Sequence, residues 1–242
     1  MSPAVVPTIA PLLPAGGGIG ANPVSSLLLL ALLSLLPFVL MMATSFLKFS
    51  VVFSILRSAM GTQQVPPTPV LMGLAVILTA YVMAPVAAEI NAALQADLAV
   101  ASDAPAASGQ GSREILRALE HARPPAVRFL KRHAHPREVE LFLRQARGMG
   151  ASPWSDEVKE DDLAVLLPAF AVSELSEAFA IGFLLFLPFL VIDMVISNIL
   201  LAMGMHMLSP TVVSLPFKLL LFVMIDGWAL LTQGLLQAYL PH

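Results

Sequence analysis

LAVLLPAFAVSELSEAFAIGFLLFLPFLVIDMVISNILLAM, Leu163 to Met203, decides the fold class. Apart from Glu174, Glu177 and Asp193, almost every side chain in it is apolar or small. A helix rises about 1.5 Å per residue, and a bilayer core is about 30 Å thick. The run is therefore twice the length of one crossing, which predicts a hairpin or a long broken helix. The segment ELSEAFAIG, Glu174 to Gly182, and Pro188 are the expected bend sites.

Similar runs lie on either side. Val24 to Ala43 is long enough to span a bilayer, with Pro37 inside it. Phe46 to Met60 is apolar but carries Lys48 and Arg57, and Gly61 with the following prolines is expected to end it. Val70 to Leu94 is a third helix containing Pro85, and Thr211 to Leu240 a last one, interrupted early by Pro216. The whole chain of 242 residues is 57% hydrophobic and 12% charged. Soluble domains hold about 25% charged residues, so this is a membrane-type protein.

The charges are concentrated in one place. Gln95 to Asp162 holds 10 of the 13 Lys and Arg and 11 of the 16 Asp and Glu. It reads as a water-facing insertion that opens on the loop ASDAPAASGQGS. Two helices are expected in it: SREILRALEHA, capped by Ser112, and Pro136 to Arg147, with Val139, Leu141, Phe142 and Leu143 on its apolar side. Four regions result: a Pro/Gly-rich lead-in at 1–23, apolar helices at 24–94, the polar insertion at 95–162, and apolar helices at 163–242. The lead-in lacks the basic start of a secretory signal and is expected to be retained. The expected fold is all-α: long broken helices or helical hairpins with a small polar helical insertion. No internal repeat is visible.

Several chemistries are excluded or unsupported. The chain has no cysteine, hence no disulfide and no thiolate chemistry. The formal net charge of −3 argues against a general nucleic-acid binder. There is no HExxH, P-loop or GxSxG, and GGGIG at Gly16 to Gly20 precedes no strand–helix unit. His133 and His135 form an HxH with no third ligand nearby, so they are read as exposed histidines rather than metal ligands. No cofactor is expected, and the protein is not read as an enzyme.

Lys48, Arg57, Glu89, Glu174, Glu177, Asp193, Lys218 and Asp226 lie within or beside apolar runs. Such charges are costly in lipid and face a partner, a cavity or water. Lys48 and Arg57 point to opposite sides of one helix, Glu174 and Glu177 share a face, and Lys218 and Asp226 lie on neighbouring stripes. They form either a proton or ion relay or a set of ion pairs that hold an assembly. Pairing is preferred, because acids and bases are spread over separate segments.

LLAMGMHMLSP, Leu200 to Pro210, joins the last two apolar runs. Gly204 and Pro210 make it irregular, and irregular backbone at membrane depth must face protein or a cavity. Met203, Met205 and Met207 are flexible and polarizable, suited either to packing a helix corner or to closing an adaptable constriction.

Four stretches carry a family resemblance from about Leu35 to Leu240. They are MATSFLKFSVVFSILRSAMGTQQVPP, YVMAPV, LLPAFAVSELSEAFAIGFLLFLPFLVIDMVISNILLAMGM and LSPTVVSLPFKLLLFVMIDGW. Together they resemble the FliP/SctR family of type III secretion export-gate proteins, closer to the virulence (injectisome) branch than to the flagellar one. The resemblance implies a bacterial inner-membrane export apparatus. About five copies would join small SctS-like and single SctT-like partners into a funnel that passes unfolded secreted proteins. The gate would be raised above the membrane plane within the basal body, with the insertion on its periplasmic side. Apolar runs then indicate apolar surroundings, which partner helices can supply as well as lipid.

The resemblance also implies a pore gasket at Met203, Met205 and Met207, with His206 where the family pattern has methionine. Protonated imidazoles repeated around a ring would add like charges at one constriction, so a pH-dependent leak is expected. A small-solute or proton transporter acting alone is the alternative; it predicts inverted repeats and a midplane site. Lys48, Arg57, Glu174, Glu177, Asp193, Lys218 and Asp226 are expected to act structurally in assembly.

Overall fold

The computed structural model describes residues 23–62, 65–101, 123–148 and 158–240. The lead-in, GGGIG, most of the loop after Ala101 and the helix expected from Ser112 lie outside them. All regular structure among the described residues is helical, as expected. The helices are α1 (Pro23–Met42), α2 (Phe46–Ala59), α3 (Thr68–Ala101), α4 (residues 123–133), α5 (Pro136–Gly148), α6 (Leu163–Ala202), α7 (Pro210–Met224) and α8 (Gly227–Gln237).

The amphipathic α2 sits at the centre. Lys48, Phe49, Val52, Phe53, Leu56 and Ala59 recur at helical spacing and are all buried. They pack mainly on α6 and then on α3, while α5 and α7 pack on α6. The core joins Phe49, Val52, Phe53 and Leu56 to Leu166, Ala169 and Phe170 of α6, with Phe129, Leu130, Leu231 and Leu235 around them. Gly61, at φ +73°, stops α2, and its N–H returns to Ser58 O at 3.1 Å.

The 163–203 run is not a hairpin. It is one continuous helix of 40 residues that contains Pro168 and Pro188, about 60 Å long at the standard rise. Its two halves have different surroundings. Between Val165 and Gly182 it buries one stripe against α2 and α5, whereas beyond Gly182 it exposes Phe183, Leu184, Val191, Met194 and Val195. Gly182 is a close-approach point rather than a bend: a Cβ there would lie 2.4 Å from Ile55 Cδ1.

The last apolar run does break, but not at Pro216, which α7 carries inside it. The break is at Asp226-Gly227, where α7 and α8 diverge by 60°. Asp226 is left-handed at φ 50°, a conformation that Asp tolerates better than most residues. Gly227 leaves room for Phe222, whose ring would lie 2.3 Å from a Cβ. Asp-Gly is itself a turn dipeptide and was the available signal.

Among the described residues, two helix regions, Thr68–Ala93 and Leu163–Ala202, are long and apolar enough to cross a bilayer; the bent pair α7–α8 makes a third if it counts as one span. The polar insertion contains α4, which sequence periodicity did not suggest, and α5 at the expected place. On α5, Leu143 is buried, and Val139 and Phe142 pack against the core. Leu141 points outward instead.

Candidate functional site: two buried charge clamps and a methionine turn

Lys48 lies on the buried stripe of α2, 1% exposed, so its ammonium must find partners inside the bundle. Glu174 and Glu177, one helical turn apart on α6, provide them. Nζ lies 3.1 Å from Glu174 Oε1 and 2.7 Å from Glu177 Oε2. It also stands 4.4 Å above the Tyr239 ring. The Tyr239 hydroxyl donates to Glu174 Oε2. Burial, reinforced by the Glu174 carboxylate, holds this phenol protonated, well above its ordinary range.

The junction between α4 and α5 closes on the same carboxylates. The His135 N–H donates to Ser173 Oγ at 2.8 Å, and Ser173 donates to Ala169 O at 2.8 Å. His135 Nε2 lies 2.7 Å from Glu177 Oε1. Two residues earlier, His133 is wedged between the rings of Phe129 and Tyr239, at centroid distances of 4.8 and 4.9 Å. Burial first, then the positive charges of Lys48 and Arg132, lower the His133 pKa to about 4. The two histidines of the HxH thus occupy unlike surroundings. Among the described residues no group of His, Cys, Asp and Glu could hold a metal.

A second clamp joins α2, α6 and α7. Lys218 Nζ pairs with Asp193 Oδ2 at 2.6 Å and donates to Ala59 O at 3.2 Å. Ala59 is the last residue of α2, where a cation also complements the helix dipole. Ser214 donates to the other Asp193 oxygen, Oδ1.

Five of the embedded charges are therefore brought together, in two clusters formed within one chain. The others stand apart. Arg57 donates to Thr68 Oγ1 across the α2–α3 turn. Glu89 pairs with Arg128 between α3 and α4. Asp226, exposed at the α7–α8 break, does not join Lys218. Sequence spacing showed that Glu174 and Glu177 share a face. It gave no sign of Tyr239 or His135 as their partners, nor of Ser214 as the partner of Asp193, because these contacts are long-range.

The third feature is the connection from α6 to α7. Gly204, at φ +73°, turns the chain; its N–H bonds Leu201 O at 3.0 Å, and the Met205 N–H bonds Leu200 O at 2.9 Å. This paired pattern is a Schellman motif. Met203 is 61% exposed, Met205 42% and Met207 100%, and His206 is exposed as well. Within one chain these side chains do not pack a helix corner. They form an uncovered thioether surface on a well-defined turn.

The profile of the FliP family matches residues 29–235. Over 216 residues, 89% of this chain and 96% of the relative, the sequence is 48% identical to the Yop proteins translocation protein R of Yersinia pestis. It is 44% identical to the hypersensitivity response secretion protein HrcR of Ralstonia nicotianae, over 89% of this chain and 97% of that protein. The flagellar biosynthetic protein FliP of Bacillus subtilis is 38% identical, over 90% of this chain and 93% of that protein.

Proposed function

The chain belongs to the FliP family, and from that premise we propose that it is a core, non-enzymatic subunit of a type III protein secretion export gate. The observation that carries this reading is near end-to-end similarity to relatives named for protein translocation and secretion. The higher identity to those relatives than to the flagellar one favours the injectisome branch. Two features of the chain support the reading. The C-terminal half of α6, with α7, exposes a long series of large apolar side chains that must be covered by lipid or by partner helices. The embedded charges that a lone transporter would use are largely engaged in pairs within the chain.

In this reading about five copies assemble with SctS-like and SctT-like subunits at the bacterial inner membrane, raised to periplasmic height in the basal body. Unfolded proteins pass through the centre. Co-expression with those partners and native mass spectrometry of the gently solubilised product should give one hetero-oligomer. A chain that stays monomeric with all partners present would count against the gate.

The methionine turn acts in this assembly as the pore gasket: repeated around a ring, Met203, Met205 and Met207 close on one another and yield to passing chain. His206 makes the closure sensitive to pH. Ion or small-solute leak through assembled gates should rise several-fold between about pH 7.5 and 5.5, the range over which histidine acts as a charge switch. His206→Met should abolish the pH response. An equal response in both proteins sinks the role given to His206.

A further inference from the structure

The methionine turn has little packing of its own. Of the residues between Asp193 and Ser214, all of them described, Leu200 alone is buried. The paired bonds around Gly204 fix the shape of the turn but not where it stands. Its place is set by its two stems, the end of α6 and the start of α7.

Those stems are joined at the second clamp. Asp193 lies ten residues before Met203, about 15 Å down α6 at the standard rise. Its two oxygens hold successive turns of α7: Oδ1 accepts from Ser214, and Oδ2 pairs with Lys218 at 2.6 Å. Lys218 also donates to Ala59 O at 3.2 Å, which ties the joined stems to the end of α2. Thr211, in the first turn of α7, stands against Gly61 just beyond: a Cβ on Gly61 would lie 3.5 Å from Thr211 Cγ2.

The two ends of α7 are seated by different means. Its buried residues are Ser214, Lys218 and Phe222. Phe222, at the far end, packs edge-on against Trp228 with ring centroids 5.3 Å apart. The end next to the turn holds the two polar members. Apolar burial is non-directional and tolerates a small slide or rotation of a helix. Hydrogen bonds weaken steeply with poor distance and angle, so a slip of one residue would break all three bonds of the clamp.

We propose that Asp193, Ser214 and Lys218 are positioning residues for the methionine turn, fixing the height and direction in which it leaves the bundle. This inference rests on the reading of the turn as a gasket and adds what aims it. A seal made by one loop repeated around a ring needs every copy of that loop at the same height. Methionine side chains adapt to irregular gaps, but they correct only small errors of placement. Replacing a buried ion pair with apolar side chains of similar volume is often neutral for stability. Asp193→Leu/Lys218→Met therefore removes the directional seat while leaving the end of α7 buried.

Two readouts at one neutral pH test this. The chain has no cysteine, so spin labels placed by Ile77→Cys and Met207→Cys, both at exposed positions, report the distance from α3 to the turn within one chain. Without further change that distance should be narrowly distributed. Adding Asp193→Leu/Lys218→Met should broaden it several-fold, with the unfolding temperature and the yield of assembled gate unchanged. Unlabelled gates carrying the pair variant should leak small solutes several-fold faster than wild type. Ser214→Ala, which removes one bond and keeps the ion pair, should shift both readouts the same way by less. A pair variant that keeps the narrow distance, or that seals as well as wild type, overturns the proposal. Should the pair variant fail to assemble, Ser214→Ala decides: an unchanged distance and leak overturn the proposal equally. Wild-type gates that do not seal would overturn the gasket reading instead, and the distances would still decide whether the clamp seats the turn.

Discussion

Lys48→Met is expected to destabilise the protein by about 3–5 kcal/mol, the usual cost of removing one partner from a buried ion pair. The reason is what it leaves behind rather than what it removes. Glu174 is 0% exposed and would keep only the Tyr239 hydroxyl as a donor. Glu177 is 36% exposed and can turn to water and His135. The double variant Lys48→Met/Glu174→Gln should therefore recover most of the loss, because glutamine still accepts from Tyr239 and carries no charge. Thermal unfolding of the solubilised chain and the yield of assembled complex both report on this. A double variant no better than the single one would show that the cluster is not an energetic pair.

Gly182→Leu should cost about 3 kcal/mol, at the upper end of overpacking penalties. The helices α2 and α6 approach so closely here that even one carbon would meet Ile55 Cδ1 at 2.4 Å and Cγ2 at 2.9 Å. Ile55 is only partly buried, so it has some room to move. Adding Ile55→Ala should return part of the stability and separate a local clash from a general intolerance of leucine on this face. Unfolding temperatures of the single and double variants make the comparison; a single variant as stable as the wild type would contradict the close approach.

Much of this was legible beforehand, for physical reasons that can be named. Helix ends at Gly61 and Gly204 were readable because only glycine adopts a left-handed backbone cheaply. The 46–60 run was readable as a helix because it is apolar and stops at a glycine followed by prolines. Two readings failed where local and tertiary influences compete. Proline is a weak break signal here: Pro188 and Pro216, where bends are expected, lie within continuous helices, while the break falls at Asp226-Gly227. A run twice the bilayer length suggested a hairpin or a long broken helix, but length alone does not require a turn when half of a helix projects from the bundle that packs the other half.

The sequence by itself determined the all-α class, the apolar surroundings, the placement of charge in one insertion, and the family. Each of these depends on composition, periodicity or ordered local motifs, which survive in one dimension. Tertiary structure decided which acid meets which base. Lys48 meets residues 126 and 129 positions away, and the pairing depends on α2 and α6 crossing beside Gly182. It also decided that two histidines two positions apart occupy unlike sites. His133 enters an aromatic slot and His135 reaches a carboxylate, because the chain leaves helix α4 between them.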